Sequence, residues 1–135
     1  MFSRRLNERE HSPTASPAVL TFSAVPAARI GSFREFWPYF LSQHRKRLTR
    51  SLHFFGTDAA AIGIVVAALQ RSPRLLLTAL GLAYGLAWVG HLLVEHNRPA
   101  TFQYPLWSLA ADWKMWALRL TGRLDAELRR HDIEP

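Results

Sequence analysis

From Ser32 onward the apolar residues recur with the period of a helix. Phe33, Phe36, Trp37, Phe40, Leu41 and His44 fall on one stripe, which puts His44 on an aromatic face. Ser32-Phe-Arg-Glu35 has the spacing of a capping box, with Ser at the N-cap and Glu three residues on. Pro38 is expected to kink or restart this helix, because its ring removes an N–H and crowds the preceding turn. A second helix is predicted over about 49–70. Its apolar part, 59–69, is short, but adding 52–58 brings it to 18 residues, inside the range of about 17–25 that crosses a bilayer. The stretch 71–74, Arg-Ser-Pro-Arg, reads as a tight turn. Residues 75–94 form the stronger span: at about 1.5 Å per residue they reach about 30 Å, the thickness of the hydrocarbon layer. Gly81-x-x-x-Gly85 and Ala59-x-x-x-Gly63 would let two such helices approach closely. Asn97 and Pro99 end the pattern.

A last amphipathic segment covers about 101–122, where Leu106, Leu109, Trp113, Trp116 and Leu120 repeat in a three–four rhythm. Asp112 and Lys114 in its middle argue against a crossing and for a helix lying at an interface. No strand-like alternation and no internal repeat is present. The pattern therefore predicts an all-α, small integral-membrane helical bundle. Two transmembrane helices form a hairpin, with amphipathic interfacial helices before and after. A soluble bundle is the competing reading, but so short a chain could hardly cover two helices that are apolar all round. Three regions follow: a disordered N-terminal arm at 1–31, a membrane helical metal-binding domain at 32–122, and a charged C-terminal tail at 123–135.

Charge and composition narrow the function. Lys and Arg number 17 against 10 Asp and Glu, a net +7. These basic residues flank apolar segments instead of forming a face with base-reading groups, so lipid headgroups account for them and nucleic acid does not. Cysteine is absent, which excludes a disulfide scaffold, an iron–sulfur protein, thiolate zinc and a cysteine nucleophile. Any metal must sit on His, Asp or Glu. Glu8 and Glu10 argue against a transit peptide in the arm, and no continuous apolar core marks a secretory signal there.

Four of the six histidines are candidates for such a site. His11 lies in the arm and His131 in the charged tail, where both are expected to be solvated. His53 stands near the start of the first long helix, and His91 and His96 near the end of the second. In an antiparallel pair that start and that end share one face, and His44 joins them just before the hairpin. Imidazoles in apolar helices are costly and suit iron, zinc or copper. Glu95, four residues after His91, would share its helix face as a ligand or as an orienting carboxylate. His96 needs a local bend to join, which Asn97 and Pro99 make available. Asp58 is two turns deeper and expected to pair with a neighbouring helix. Asp112 either closes over the site or faces water. His91-Leu-Leu-Val-Glu95-His96 fits neither metalloprotease pattern. A haem or zinc protein of the same shape, or a small membrane scaffold without enzymatic activity, remains open on these residues alone.

Three strings together carry a family resemblance. They are residues 36–44 with 50–57, residues 87–102 (Ala-Trp-Val-Gly-His-Leu-Leu-Val-Glu-His-Asn-Arg-Pro-Ala-Thr-Phe), and residues 104–113 (Tyr-Pro-Leu-Trp-Ser-Leu-Ala-Ala-Asp-Trp). Over about 33–120 the chain resembles the short bacterial relatives of the fungal 2-hydroxy fatty acid dioxygenase family of sphingoid-base α-oxidation, formerly a domain of unknown function. The resemblance implies an iron(II)-dependent membrane enzyme that shortens a 2-hydroxy fatty acid or related lipid by one carbon with O2. It implies Fe(2+) held by His44, His53 and His91, with His96 in the Glu-His-Asn form of the motif. Glu95, Asn97 and Asp112 would support the ligands, and Arg98 or Arg47 would hold the substrate carboxylate. Arg45, Lys46, Arg47, Arg50 and Arg98 outnumber Arg71 and Arg74 at the turn, which predicts a multi-pass protein of the bacterial inner membrane with its site toward the cytoplasm. The Gly81/Gly85 face is the expected surface for a homo-oligomer.

Overall fold

The computed structural model describes residues 29–135, so nearly all of the expected N-terminal arm lies outside the described residues. Among those described, the chain is helical throughout: α1 (Phe33–Ser42), α2 (Arg47–Leu69), α3 (Pro73–Val89), α4 (Pro105–Leu120) and α5 (Leu124–Arg130). A π-helical turn, Gly90–Glu95, continues α3, and a short 3-10 turn, Ala100–Phe102, precedes α4.

α2 and α3 form the antiparallel hairpin. Its turn uses Arg71 in the left-handed region at φ 49°, and Ser72 caps α3 by accepting the Leu75 N–H at 3.4 Å. Pro73 fills the first helical position, where a missing N–H costs nothing. Close approach of the two helices rests on glycines of α2 against alanines of α3. A Cβ at Gly63 would stand 2.2 Å from the Ala79 Cβ, and one at Gly56 3.0 Å from the Ala83 carbonyl oxygen. Gly81 and Gly85 have nothing within 4 Å. Of the two small-residue motifs, then, the one containing Gly63 meets the partner helix, while Gly81-x-x-x-Gly85 faces outward. Changing Gly63 to Val is expected to splay the hairpin and cost about 1–3 kcal/mol. Gly81→Ala should leave thermal unfolding in detergent unchanged or slightly improved.

Both hairpin helices are long and apolar enough to cross a membrane, over Arg47–Leu69 and Pro73–Glu95. Only 11% of the most apolar stretch of the second is buried by the rest of the molecule. Ile62, Val65, Leu69, Leu77, Leu82 and Leu93 are uncovered. A soluble protein rarely leaves so continuous an apolar surface bare.

α1, α4 and α5 build an aromatic cap against one end of the hairpin. Ser32 Oγ accepts the Glu35 N–H at 3.2 Å, and α1 runs through Pro38 as a single helix instead of restarting there. Its buried face, Phe36, Trp37, Phe40 and Leu41, packs with Phe54, Tyr104, Ala111 and Met115. Tyr104 stacks on Trp107 with ring centroids 5.5 Å apart, and Lys114 Nζ lies 3.7 Å above the Trp37 ring. Residues 123–135, expected as a charged tail, contain α5, whose Leu124 and Leu128 reach the core together with Ile133. Trp37 Nε1 donates to Glu127 Oε1 at 2.7 Å, and that N–H holds the Glu127 carboxyl below the usual carboxylate value. Asp58 does pair across helices: it accepts from Trp116 Nε1 at 2.6 Å and Arg119 Nη1 at 3.4 Å, which fastens α4 alongside α2.

Candidate metal centre

Three histidines meet where the cap joins the hairpin. His44 follows α1, His53 lies two turns into α2, and His91 is the second residue of the π-helical turn; all three are buried. One ring nitrogen from each lies within 4.8 Å of the others. The ring centroids are 4.4 Å apart for His44 and His53, 4.6 Å for His44 and His91, and 5.1 Å for His53 and His91.

The orientation of each ring is fixed from behind. His44 Nδ1 lies 2.6 Å from the Phe40 carbonyl oxygen, which can only accept, so Nδ1 carries the hydrogen. His53 Nδ1 lies 2.7 Å from Asp112 Oδ1, and His91 Nδ1 2.8 Å from Asn97 Oδ1. The Asn97 amide cannot be reversed, because its Nδ2 donates to both the backbone oxygen and Oε1 of Gln43, at 3.0 and 3.1 Å. Each Nδ1 thus gives its hydrogen away from the cluster and each Nε2 turns a bare lone pair inward. His44 Nε2 and His53 Nε2 are 3.2 Å apart, a repulsive contact unless a cation lies among them. Burial, with the two neighbouring imidazoles adding to it, pushes His44 well below its usual 6.5. Three such donors backed by a carbonyl, a carboxylate and an amide could hold a metal ion, with the tautomer of each ring set by the group behind it. The donor set fits iron, and it fits zinc.

The other expected site residues are placed differently. His96 is exposed, in the left-handed region at φ 58°, and ends the π-helical turn outside the cluster. Glu95 does not face His91, because the wider i→i+5 turn breaks the i,i+4 alignment of an α-helix. Its Oε1 accepts the Lys46 N–H at 2.6 Å and thereby caps α2, whose N-cap lysine has no capping side chain. Arg98 is exposed, and Arg47 donates from Nε to the backbone oxygen of Pro135. Asp112 and Asn97 do stand directly behind ligands. His131 caps the end of α5, 3.6 Å from Glu127 Oε1. Two supports escaped the sequence. Gln43 orients Asn97, and Arg50, buried, donates to the carbonyls of His44, Arg45 and Glu134 at 3.1, 2.6 and 3.0 Å. No sequence signal marked Gln43, and Arg50 reads there as one more residue of the basic stretch that begins at Arg45.

No curated protein and no solved structure matches the chain. A family model described as 2-hydroxy-palmitic acid dioxygenase Mpo1-like matches residues 30–124. That stretch contains all three histidines with Asn97 and Asp112, and the chain belongs to the Mpo1-like family.

Proposed function

We propose that this protein is an iron(II)-dependent dioxygenase of a membrane, which shortens a 2-hydroxy fatty acid or related lipid by one carbon. The carrying observation is the set of three inward Nε2 atoms whose Nδ1 hydrogens are all committed elsewhere. His44, His53 and His91 would hold the iron, which supplies O2 binding and electron transfer when present. Asp112 and Asn97 keep the ligand rings in place. Arg98, exposed one residue beyond Asn97, is the proposed partner of the substrate carboxylate, with Arg47 on the neighbouring helix end. The overall change balances without a separate reductant. A 2-hydroxy acid and O2 give the acid one carbon shorter, CO2 and water, and the substrate furnishes every electron. The family description, which names a 2-hydroxy-palmitic acid dioxygenase, supports this substrate class. The two apolar helices support insertion, and the basic residues at the site end support a cytoplasmic site.

A zinc centre is the second reading, since three imidazoles with an orienting carboxylate are equally a catalytic zinc set. Metal analysis of detergent-purified protein, with oxygen uptake on added 2-hydroxy acids, separates the two. About one iron per chain and uptake only with the 2-hydroxy acid is expected. Zinc without uptake, or no metal, would overturn the proposal.

A further inference from the structure

A groove leads away from this centre. It begins at His53 and Asp112 and runs between α2, α3 and α4, with a cavity of about 160 Å³. On α2 it follows His53, Thr57, Ala60 and Ile64, one stripe of the helix, over about 16 Å at about 1.5 Å per residue. On α3, which runs the other way, Ala87 lies near the centre and Leu80 near the far end.

Its polarity is graded. The site end carries Asp112, bonded to His53, and Thr57, whose hydroxyl is already spent on the His53 carbonyl at 2.9 Å. The rest of the lining is alkyl and aromatic: Ala60, Ile64, Leu80 and Ala87, with the rings of Tyr84 and Trp113. The alanines make the space, since any larger side chain there would fill it. The rim is open sideways, because Ile64 and Leu109 are 40% and 43% exposed on the surface that the apolar hairpin presents.

We infer that this groove holds the hydrocarbon tail of the substrate, with the head group toward His53 and the chain end toward Ile64 and Leu80. The inference rests on the proposed reading for its head group. The polar end adjoins the only metal-ligating cluster among the described residues, and the remainder is mainly apolar, with no charged side chain beyond Asp112. Ala87 and Leu80 are then specificity residues that set the chain length accepted. A tail entering through the open rim comes from the lipid phase and not from water.

Two variants and one probe test this. Ala87→Phe blocks the groove near the centre, and Leu80→Trp blocks it at the far end. With a series of saturated 2-hydroxy acids of increasing length, Ala87→Phe should lower kcat/KM for long chains at least about tenfold relative to short ones. Leu80→Trp should penalise only the longest. Bound metal should be unchanged in both. Ala87→Val, which adds less bulk, gives a smaller shift in the same direction if the phenylalanine variant does not fold. The probe is a straight-chain fatty acid without the 2-hydroxyl, carrying a photoreactive group at its chain end, added to wild-type protein in detergent. Its cross-links should map to Ile64 and Leu80. Normal length preference in both variants, cross-links confined to the outer face of α3, or a co-purified phospholipid that the acid cannot displace would each overturn the groove. Mapped cross-links in a protein that binds no iron and consumes no oxygen would instead overturn the dioxygenase reading and leave the groove standing.

Discussion

Changing His91 to Gln is expected to lower metal affinity by at least about 100-fold while the helical content stays unchanged. The same loss is expected for His53→Gln, and His96→Ala should leave metal content untouched. The contrast follows from the placement of the rings. His91 and His53 each present an Nε2 to the cluster from a buried position, whereas His96 lies exposed beyond the π-helical turn. Glutamine is chosen because it keeps a polar side chain of similar length against Asn97 or Asp112, so the buried acceptors behind the ring are not stranded. His44→Ala is a poorer test. It would take from the buried Phe40 carbonyl the shorter of its two hydrogen bonds, leaving the Gln43 N–H at 3.1 Å, and open a void in the aromatic cap, costing about 1–3 kcal/mol before any metal is considered. Metal content of the purified variants, read beside circular dichroism, checks the expectation. Retention of metal by both glutamine variants would show that the cluster is not the binding site.

The convergence of His44, His53 and His91 was legible in the sequence because it depends on two things that periodicity reports well. One is that the apolar stripes are helical; the other is that Ser72-Pro73 turns the chain back within a few residues. Once the hairpin closes, the start of α2 and the end of α3 must share a face. What lay beyond reach depends on features with no such period. The π-helical turn at Gly90–Glu95 keeps His91 buried while it sends Glu95 to Lys46 and ends with His96 outside, and a 3.6-residue pattern carries no trace of it. Arg50 reads as one more surface cation until the carbonyls of His44 and Arg45 just before it and of Glu134 at the far end of the chain close around it. α5 was hidden for the opposite reason: two leucines four apart suffice to dock a short helix, and six charged neighbours mask them. In the hairpin, both small-residue motifs read alike in sequence, and only the packing shows that α3 meets Gly63 with Ala79.

The groups behind His53 and His91 differ in charge, and exchanging that chemistry should have unequal effects. Asp112→Asn is expected to fold normally and to lose about 10–100-fold in metal affinity or turnover. Its amide oxygen can still accept from His53 Nδ1, so the ring keeps its place, but the carboxylate that raises the basicity of Nε2 is gone. Asn97→Asp should fail in another way. In wild-type protein the Asn97 Nδ2 meets two oxygens of Gln43, and an aspartate would turn a carboxylate oxygen against both. That replaces two hydrogen bonds by two repulsions beside the connection that carries His44, so lowered thermal stability is expected together with loss of metal. Gln43→Lys, which offers a cation to the new carboxylate, should recover part of the stability of Asn97→Asp and do nothing for Asp112→Asn. Thermal unfolding and metal content measured on the four proteins separate the outcomes. Equal loss of stability in Asp112→Asn and Asn97→Asp would mean that the two supports act only as packing. A loss of metal without a loss of stability in Asp112→Asn alone would assign the carboxylate to tuning the centre.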